Sequence, residues 1–208
     1  MGTKNQEIQD RILLGTLEGV PFDGWHWSLA EQAAVKSGYS ADVARAVFPE
    51  GLPDLLRHFS GWADRQMLAA LQDVDQTVMR IRDKIKKAVA LRFDVLGPYK
   101  ESVRAASVYW LSPFRKFESG KIIWRSADMI WLWAGDDAKD YNHYTKRALL
   151  SAVMASTTIS WLNDRSENHQ ETLAFLDRRI DNVLTVGKLA GKIKNSMPQK
   201  NKAETQKG

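Results

Sequence analysis

Asp140 and His143 stand one helical turn apart in the segment 134–148, and they are the nearest approach in this chain to a proton-handling pair. At that spacing a carboxylate can orient an imidazole. The same spacing also describes a helix-terminal cap or ion pair, which is the more ordinary reading. His26, His58 and His169 are scattered, with no HxxxH or ExxH pair on one helical face, so no metal site is expected. The chain has no cysteine, which removes thiol nucleophiles, thiolate metal ligands and disulfides. A phosphate loop, a dinucleotide fingerprint and a nucleophile elbow are all missing, and the glycines fall at helix ends. No catalytic residue and no cofactor is assigned.

What the segment does offer is aromatic and charged. Tyr141 and Tyr144 lie three residues apart on one face, between the capping carboxylate of Asp140 and the cation of Arg147. The helix that follows, 148–162, is small or apolar nearly all round. Such a helix is buried on more than one side or holds something apolar.

The elements that position these residues read as helices throughout. Residues 6–19 carry Ile8, Ile12, Leu13 and Leu17 at helical spacing, and helices at 28–37 and 40–47 follow, separated by Gly38. A fourth helix, 52–71, turns Leu55, Leu56, Phe59, Trp62 and Met67 inward; a fifth, 75–96, does so with Val78, Ile81, Ile85, Val89 and Phe93. Further helices are expected to about 110, at 115–133, at 140–163 and from about 167. The expected fold is all-α, about nine helices with no strand-like alternation. Three regions are expected: a helix-turn-helix-like unit at 1–51, a cavity and dimerisation bundle at 52–185, and a basic, partly disordered tail at 186–208.

Charge is unevenly placed. The net charge is +5, and the tail from residue 185 carries six lysines against Glu204, so residues 1–184 are neutral overall. An argument from basicity to nucleic acid must therefore pass through the tail. Within it, Lys188, Lys192 and Lys194 flank Leu189 and Ile193 in a short amphipathic pattern suited either to an anionic membrane surface or to solvent. No stretch reaches the roughly 18 apolar residues of a membrane span. The first residues lack the apolar core of a signal peptide and include Glu7 and Asp10, so a bacterial cytoplasmic protein, or a mature form already trimmed, is expected.

On helix 140–163, at about 100° per residue, two arcs separate. Leu149, Leu150, Val153, Met154, Thr157 and Trp161 share one. With Trp110, Trp124 and Trp131 they either fill a core or wall an elongated apolar cavity. Ala148, Ala152 and Ala155 on the opposite arc permit close helix approach and are candidates for a homodimer seam.

Five stretches carry a family resemblance: Pro98-Tyr99-Lys100; Asp128 to Asp136, with Trp131, Trp133, Ala134 and Gly135; Asp140 to Ala148; Trp161-Leu162-Asn163-Asp164-Arg165-Ser166; and Phe175-Leu176-Asp177-Arg178-Arg179-Ile180. Together they resemble the ubiquinone-biosynthesis accessory proteins, the lipid-binding "ninth" coenzyme Q proteins of mitochondria and their bacterial relatives. The resemblance spans about residues 8–185. It implies a TetR-like fold whose helix-turn-helix no longer serves DNA, a homodimer through the last two long helices and a cavity for an isoprenoid lipid or ubiquinone precursor. It implies no catalysis by this chain. The lipid would be presented to demethoxyubiquinone hydroxylase at the inner membrane, to which the chain would bind peripherally. Asp140, Tyr144 and Arg147 match the family's docking positions, with Tyr141 and His143 beside them. His143 stands where mitochondrial members tend to carry tryptophan, and the carboxy-terminal amphipathic segment is shorter than theirs.

A second reading is a TetR-type, ligand-responsive DNA-binding regulator with the same fold. Base readout needs side chains at base edges and cations at phosphates. The would-be recognition helix offers only Arg45, against Asp42, so DNA is not an expected partner.

Overall fold

A computed structural model describes the backbone of residues 2–136 and 141–196 and the side chains of residues 4–136 and 142–183. Ten α-helices follow one another among these residues. The first five are α1 (Gly2–Leu17), the single turn α2 (Val20–Asp23), α3 (Trp27–Lys36), α4 (Ala41–Val47) and α5 (Leu52–Ala70). After them come α6 (Ile81–Leu96), α7 (Lys100–Trp110), α8 (Lys116–Trp133), α9 (Tyr141–Asn163) and α10 (Gln170–Ser196). Short 3-10 turns join α6 to α7, α7 to α8 and α9 to α10. The described residues contain no strand.

Helices α3 and α4 form the expected helix-turn-helix. The turn needs a left-handed residue, which Gly38 supplies at φ +83°, and the Tyr39 amide then donates to the Ala34 carbonyl at 2.9 Å. Helix α6, expected over 75–96, begins six residues later than the periodicity predicts. Asp75 accepts both the amide and the hydroxyl of Thr77, at 2.9 and 2.7 Å, closing a local turn that competes with helix. Val78, expected inward, is consequently 87% exposed, while Ile85, Val89 and Phe93 are buried as the stripe requires.

One apolar core runs through the molecule. It links Ile12 and Leu13 of α1 to Ala33 of α3, Leu55 and Met67 of α5, Val89 of α6, Ile130 of α8, Trp161 of α9 and Leu176 of α10. The core therefore crosses position 51, where the sequence suggests a boundary. Buried polar groups brace it. Asp64 of α5 accepts from Arg92 Nε of α6 at 2.7 Å and from Ser126 Oγ of α8 at 2.8 Å, tying three helices together.

The α9–α10 corner is closed by Asp164. Its carboxylate accepts the amide and hydroxyl of Ser166 at 2.7 and 2.6 Å, and those of Thr172 at 2.8 and 2.5 Å. Lys100 Nζ of α7 donates to the Asp164 carbonyl at 2.7 Å, and Arg104 donates to the Leu162 carbonyl. Burial pushes the Asp164 carboxyl up, but the four hydrogen bonds outweigh it and hold the group far below the usual carboxylate range. A depressed folded pKa means this stability is present above the unfolded value and is lost as pH falls below about 4. Asp164→Ala should cost about 3 kcal/mol at neutral pH in urea denaturation. The difference from the parent chain should shrink when the measurement is repeated below about pH 4.

Candidate functional site

A cavity of about 330 Å³ lies between α5, α6, α7, α8 and α9. That falls at the small end of the ~300–1,000 Å³ of small-molecule sites. Its walls are apolar: Leu56 and Phe59 from α5, Leu96 from α6, Val103, Ala106 and Trp110 from α7, Ile122 and Ile123 from α8, and Ala155, Ile159 and Leu162 from α9. Arg92 and Ser60 make one polar corner, where the guanidinium donates to Ser60 Oγ at 2.9 Å while its Nε is held by Asp64. Leu111 and Ile159 line the cavity and are 69% and 66% exposed, so it opens to the surface between them. The arrangement can take an elongated apolar molecule with a polar end toward Arg92.

Of the residues proposed for lipid, Trp110 lines this cavity; the rest sit elsewhere. Leu150, Val153, Met154, Thr157 and Trp161 are buried in the core, with Leu149 half-buried. Trp161 packs on Phe93 of α6 at 5.2 Å between ring centroids and under the ammonium of Lys100 at 5.3 Å. Among the seam candidates, Ala155 faces the cavity, and Ala148 and Ala152 are exposed. Helix α9 thus turns its bulky arc to the core and the later part of its small arc, Ala155, Ile159 and Leu162, to the cavity. Space is left where small side chains meet the ends of neighbouring helices, and bulk fills the core. Sequence reasoning missed Arg92, Ile122, Ile123 and Ile159.

The aromatic surface and the α8–α9 junction are a separate feature. Helix α8 ends with Ala134 buried and Gly135 at φ +90°, a conformation that lets the Asp136 amide turn back onto the Trp131 carbonyl at 3.0 Å. This aims the Asp136 carboxylate inward, where it meets Arg147 Nη1 at 3.0 Å and Lys146 Nζ. Arg147 Nε donates to Asp128 of α8 at 2.5 Å, and Nη1 also to the His143 carbonyl at 3.2 Å. Trp131 Nε1 donates to the Lys146 carbonyl at 3.1 Å. Burial raises the Asp136 carboxyl, but Lys146 and Arg147 prevail and hold it below the ordinary value.

Arg147 is only 1% exposed, which corrects its expected role as a docking side chain: its guanidinium is spent on binding α9 to α8. Tyr144, by contrast, is 63% exposed. Its ring lies 5.1 Å from that of His143 and 6.3 Å from that of Trp124, so Trp124 belongs to this outer aromatic face and not to a lipid wall. Asp140 lies outside the described residues, as does the side chain of Tyr141. The backbone of α10 includes Lys188, Leu189, Lys192, Ile193 and Lys194, but their side chains lie outside the described residues. Among the described residues no group of three or more His, Asp or Glu is placed to hold a metal.

An all-α, TetR-like architecture with a ligand-sized apolar cavity is the class this geometry defines. A solved structure of a TetR transcriptional regulator from Nitrosomonas europaea superposes with a TM-score of 0.69 at 17% identity, covering 86% of this chain and 99% of that one. That likeness establishes the fold. Residues 118–187, the stretch from early α8 into α10, match the COQ9 family model. The human protein named "Ubiquinone biosynthesis protein COQ9, mitochondrial" is 29% identical over 199 residues, which is 92% of this chain and 62% of that protein. The Drosophila melanogaster protein of the same name is 30% identical over 185 residues, 87% of this chain and 56% of that one. The chain is thus similar to the COQ9 proteins along most of its own length and spans less than two thirds of the length of these relatives.

Removing Arg147 strands Asp128 and leaves the buried carboxylate of Asp136 with Lys146 alone. Arg147→Ala should therefore cost about 3–5 kcal/mol in urea denaturation, whereas Tyr144→Ala should cost less than about 0.5 kcal/mol. Equal losses would contradict the assignment of Arg147 to the junction.

Proposed function

We propose that this chain acts in ubiquinone biosynthesis as a non-catalytic lipid carrier. In this reading it takes an isoprenoid or ubiquinone precursor into the α5–α9 cavity and presents it to demethoxyubiquinone hydroxylase. The observation that carries the reading is the cavity itself, mostly apolar with a polar corner at Arg92 and Ser60, in a chain similar to the COQ9 proteins. The similarity to ubiquinone-biosynthesis proteins supports the pathway. Tyr144, His143 and Trp124 form the docking face for the hydroxylase, and α9 and α10 form the homodimer seam. The setting is a bacterial cytoplasm with peripheral attachment to the inner membrane, assisted by the lysines of α10. No helix among the described residues is long and apolar enough to cross a membrane.

The fold alone also fits a DNA-binding regulator, but the electrostatics weigh against it. Arg45, the one cation of the recognition helix, is held by Glu31 of α3, with Nη2 at 2.7 Å and Nε at 3.1 Å. A cation already paired releases little counterion from a phosphate backbone.

Organic extracts of the purified chain should contain an isoprenoid lipid by mass spectrometry. Ser107→Trp, which fills the cavity from α7, should lower isoprenoid uptake at least about tenfold while helicity by circular dichroism is kept. Uptake by the filled variant equal to that of the parent would contradict the cavity as the lipid site. Tyr144→Ala should weaken hydroxylase binding about tenfold or more without changing the oligomeric mass. Unchanged affinity would remove the docking face.

A further inference from the structure

The connection between α7 and α8 carries apolar side chains where a surface turn ordinarily carries polar ones. Val108, Leu111, Phe114 and Phe117 are 67%, 69%, 97% and 75% exposed. Single exposed hydrophobes are ordinary, but four at one helix–helix connection make a patch that calls for an occupant. Phe114 lies in the Pro113–Arg115 turn itself, so the most exposed ring stands at the tip.

Charge says which occupant. Between residues 108 and 125 the chain has four cations, Arg115, Lys116, Lys121 and Arg125, and one carboxylate, Glu118. Glu118 is taken up by Lys121 at 2.8 Å and by Arg57 at 3.8 Å. The guanidinium of Arg115 lies over the Tyr109 ring at 3.9 Å, and the ammonium of Lys121 lies over Phe117 at 4.4 Å. Aromatic rings with long cationic stems alongside suit an interface between hydrocarbon and anionic headgroups. A cationic rim around exposed phenylalanines is complementary to an anionic bilayer.

Position supplies the third observation. Leu111 belongs both to the exposed patch and to the lining of the cavity, and Trp110, Ser119, Ile122 and Ile123 enter that lining from the same two helix ends. The patch therefore continues into the cavity mouth. We propose that the α7–α8 turn is a bilayer-insertion element: Phe114 and Phe117 enter the acyl region, Arg115 and Lys116 hold anionic headgroups, and the cavity mouth comes to face the membrane interior. This goes beyond attachment by the lysines of α10, and it rests on the lipid-carrier reading only for its purpose.

The chain has no cysteine, so Phe114→Cys in the full chain gives a single labelling site for an environment-sensitive fluorophore. Vesicles of phosphatidylcholine with about 30 mol% phosphatidylglycerol are the probe. The label at position 114 should shift to the blue and be quenched by spin labels on the acyl chains, while the same label at Val35→Cys of α3 should not respond. The Phe114→Ser, Phe117→Ser double variant should bind these vesicles at least about tenfold more weakly. An unshifted label together with parent-like binding by the double variant would overturn the proposal. So would a fall in oligomeric mass caused by the double variant, which would give the patch to a second copy of the chain. So would loss of hydroxylase binding with vesicle binding kept, which would give it to a protein partner. If the label inserts but the parent chain takes up no isoprenoid, the insertion element stands and the carrier reading falls.

Discussion

The buried guanidinium of Arg147 is the constraint on which the working half of the molecule depends. An arginine at 1% exposure is tolerable only if opposite charges meet it on fixed geometry. Asp136 and Asp128 do so from the end of α8, at 3.0 and 2.5 Å. The Ala134-Gly135-Asp136 sequence is the device that allows this: a small residue that can be buried, a left-handed turn at Gly135, and a carboxylate directed back at the incoming helix. With α8 and α9 fixed in this way, Ile122 and Ile123 face Ala155, Ile159 and Leu162 across the cavity. The same fixing brings Trp124 beside Tyr144 on the outer face. One ion cluster thereby sets both an internal space and an external surface.

The segments that carry the family resemblance divide along the same line. Most are braces. Lys100 and Asp164 meet at 2.7 Å across the α7–α9 corner, and Asp177 of α10 receives Arg82 at 3.0 Å and Lys86 at 2.9 Å from α6. Such residues hold helix ends in register, which lets the cavity be built from replaceable aliphatic side chains. The exposed members, Tyr144 and its neighbours, are the ones left for recognition.

Helical periodicity carried the fold, because a buried stripe such as Leu55, Leu56, Phe59, Trp62 and Met67 leaves a regular trace. It failed at the start of α6, where a side-chain hydrogen bond from Asp75 decides the local conformation and leaves no periodic mark. It also separated the two arcs of α9 without saying what either faces. The bulky arc faces the core, and of the small arc only Ala155, Ile159 and Leu162 reach the cavity, since a stripe records burial and not its partner. Arg147 was read as surface for a related reason: arginine is mostly exposed, and the carboxylates that bury it lie 11 and 19 residues earlier in the chain. Summing charge over residues 1–184 to neutrality likewise hid the local excess of cations around Phe114.

The central claim is that the apolar cavity between α7, α8 and α9 holds the lipid. Determining the structure of the chain saturated with an isoprenoid quinone tests it most directly. Density for the isoprenoid chain is expected between Trp110, Ile123 and Ile159, with its polar end toward Arg92. Density along the Val153–Trp161 arc, or an empty cavity at saturating ligand, would contradict it.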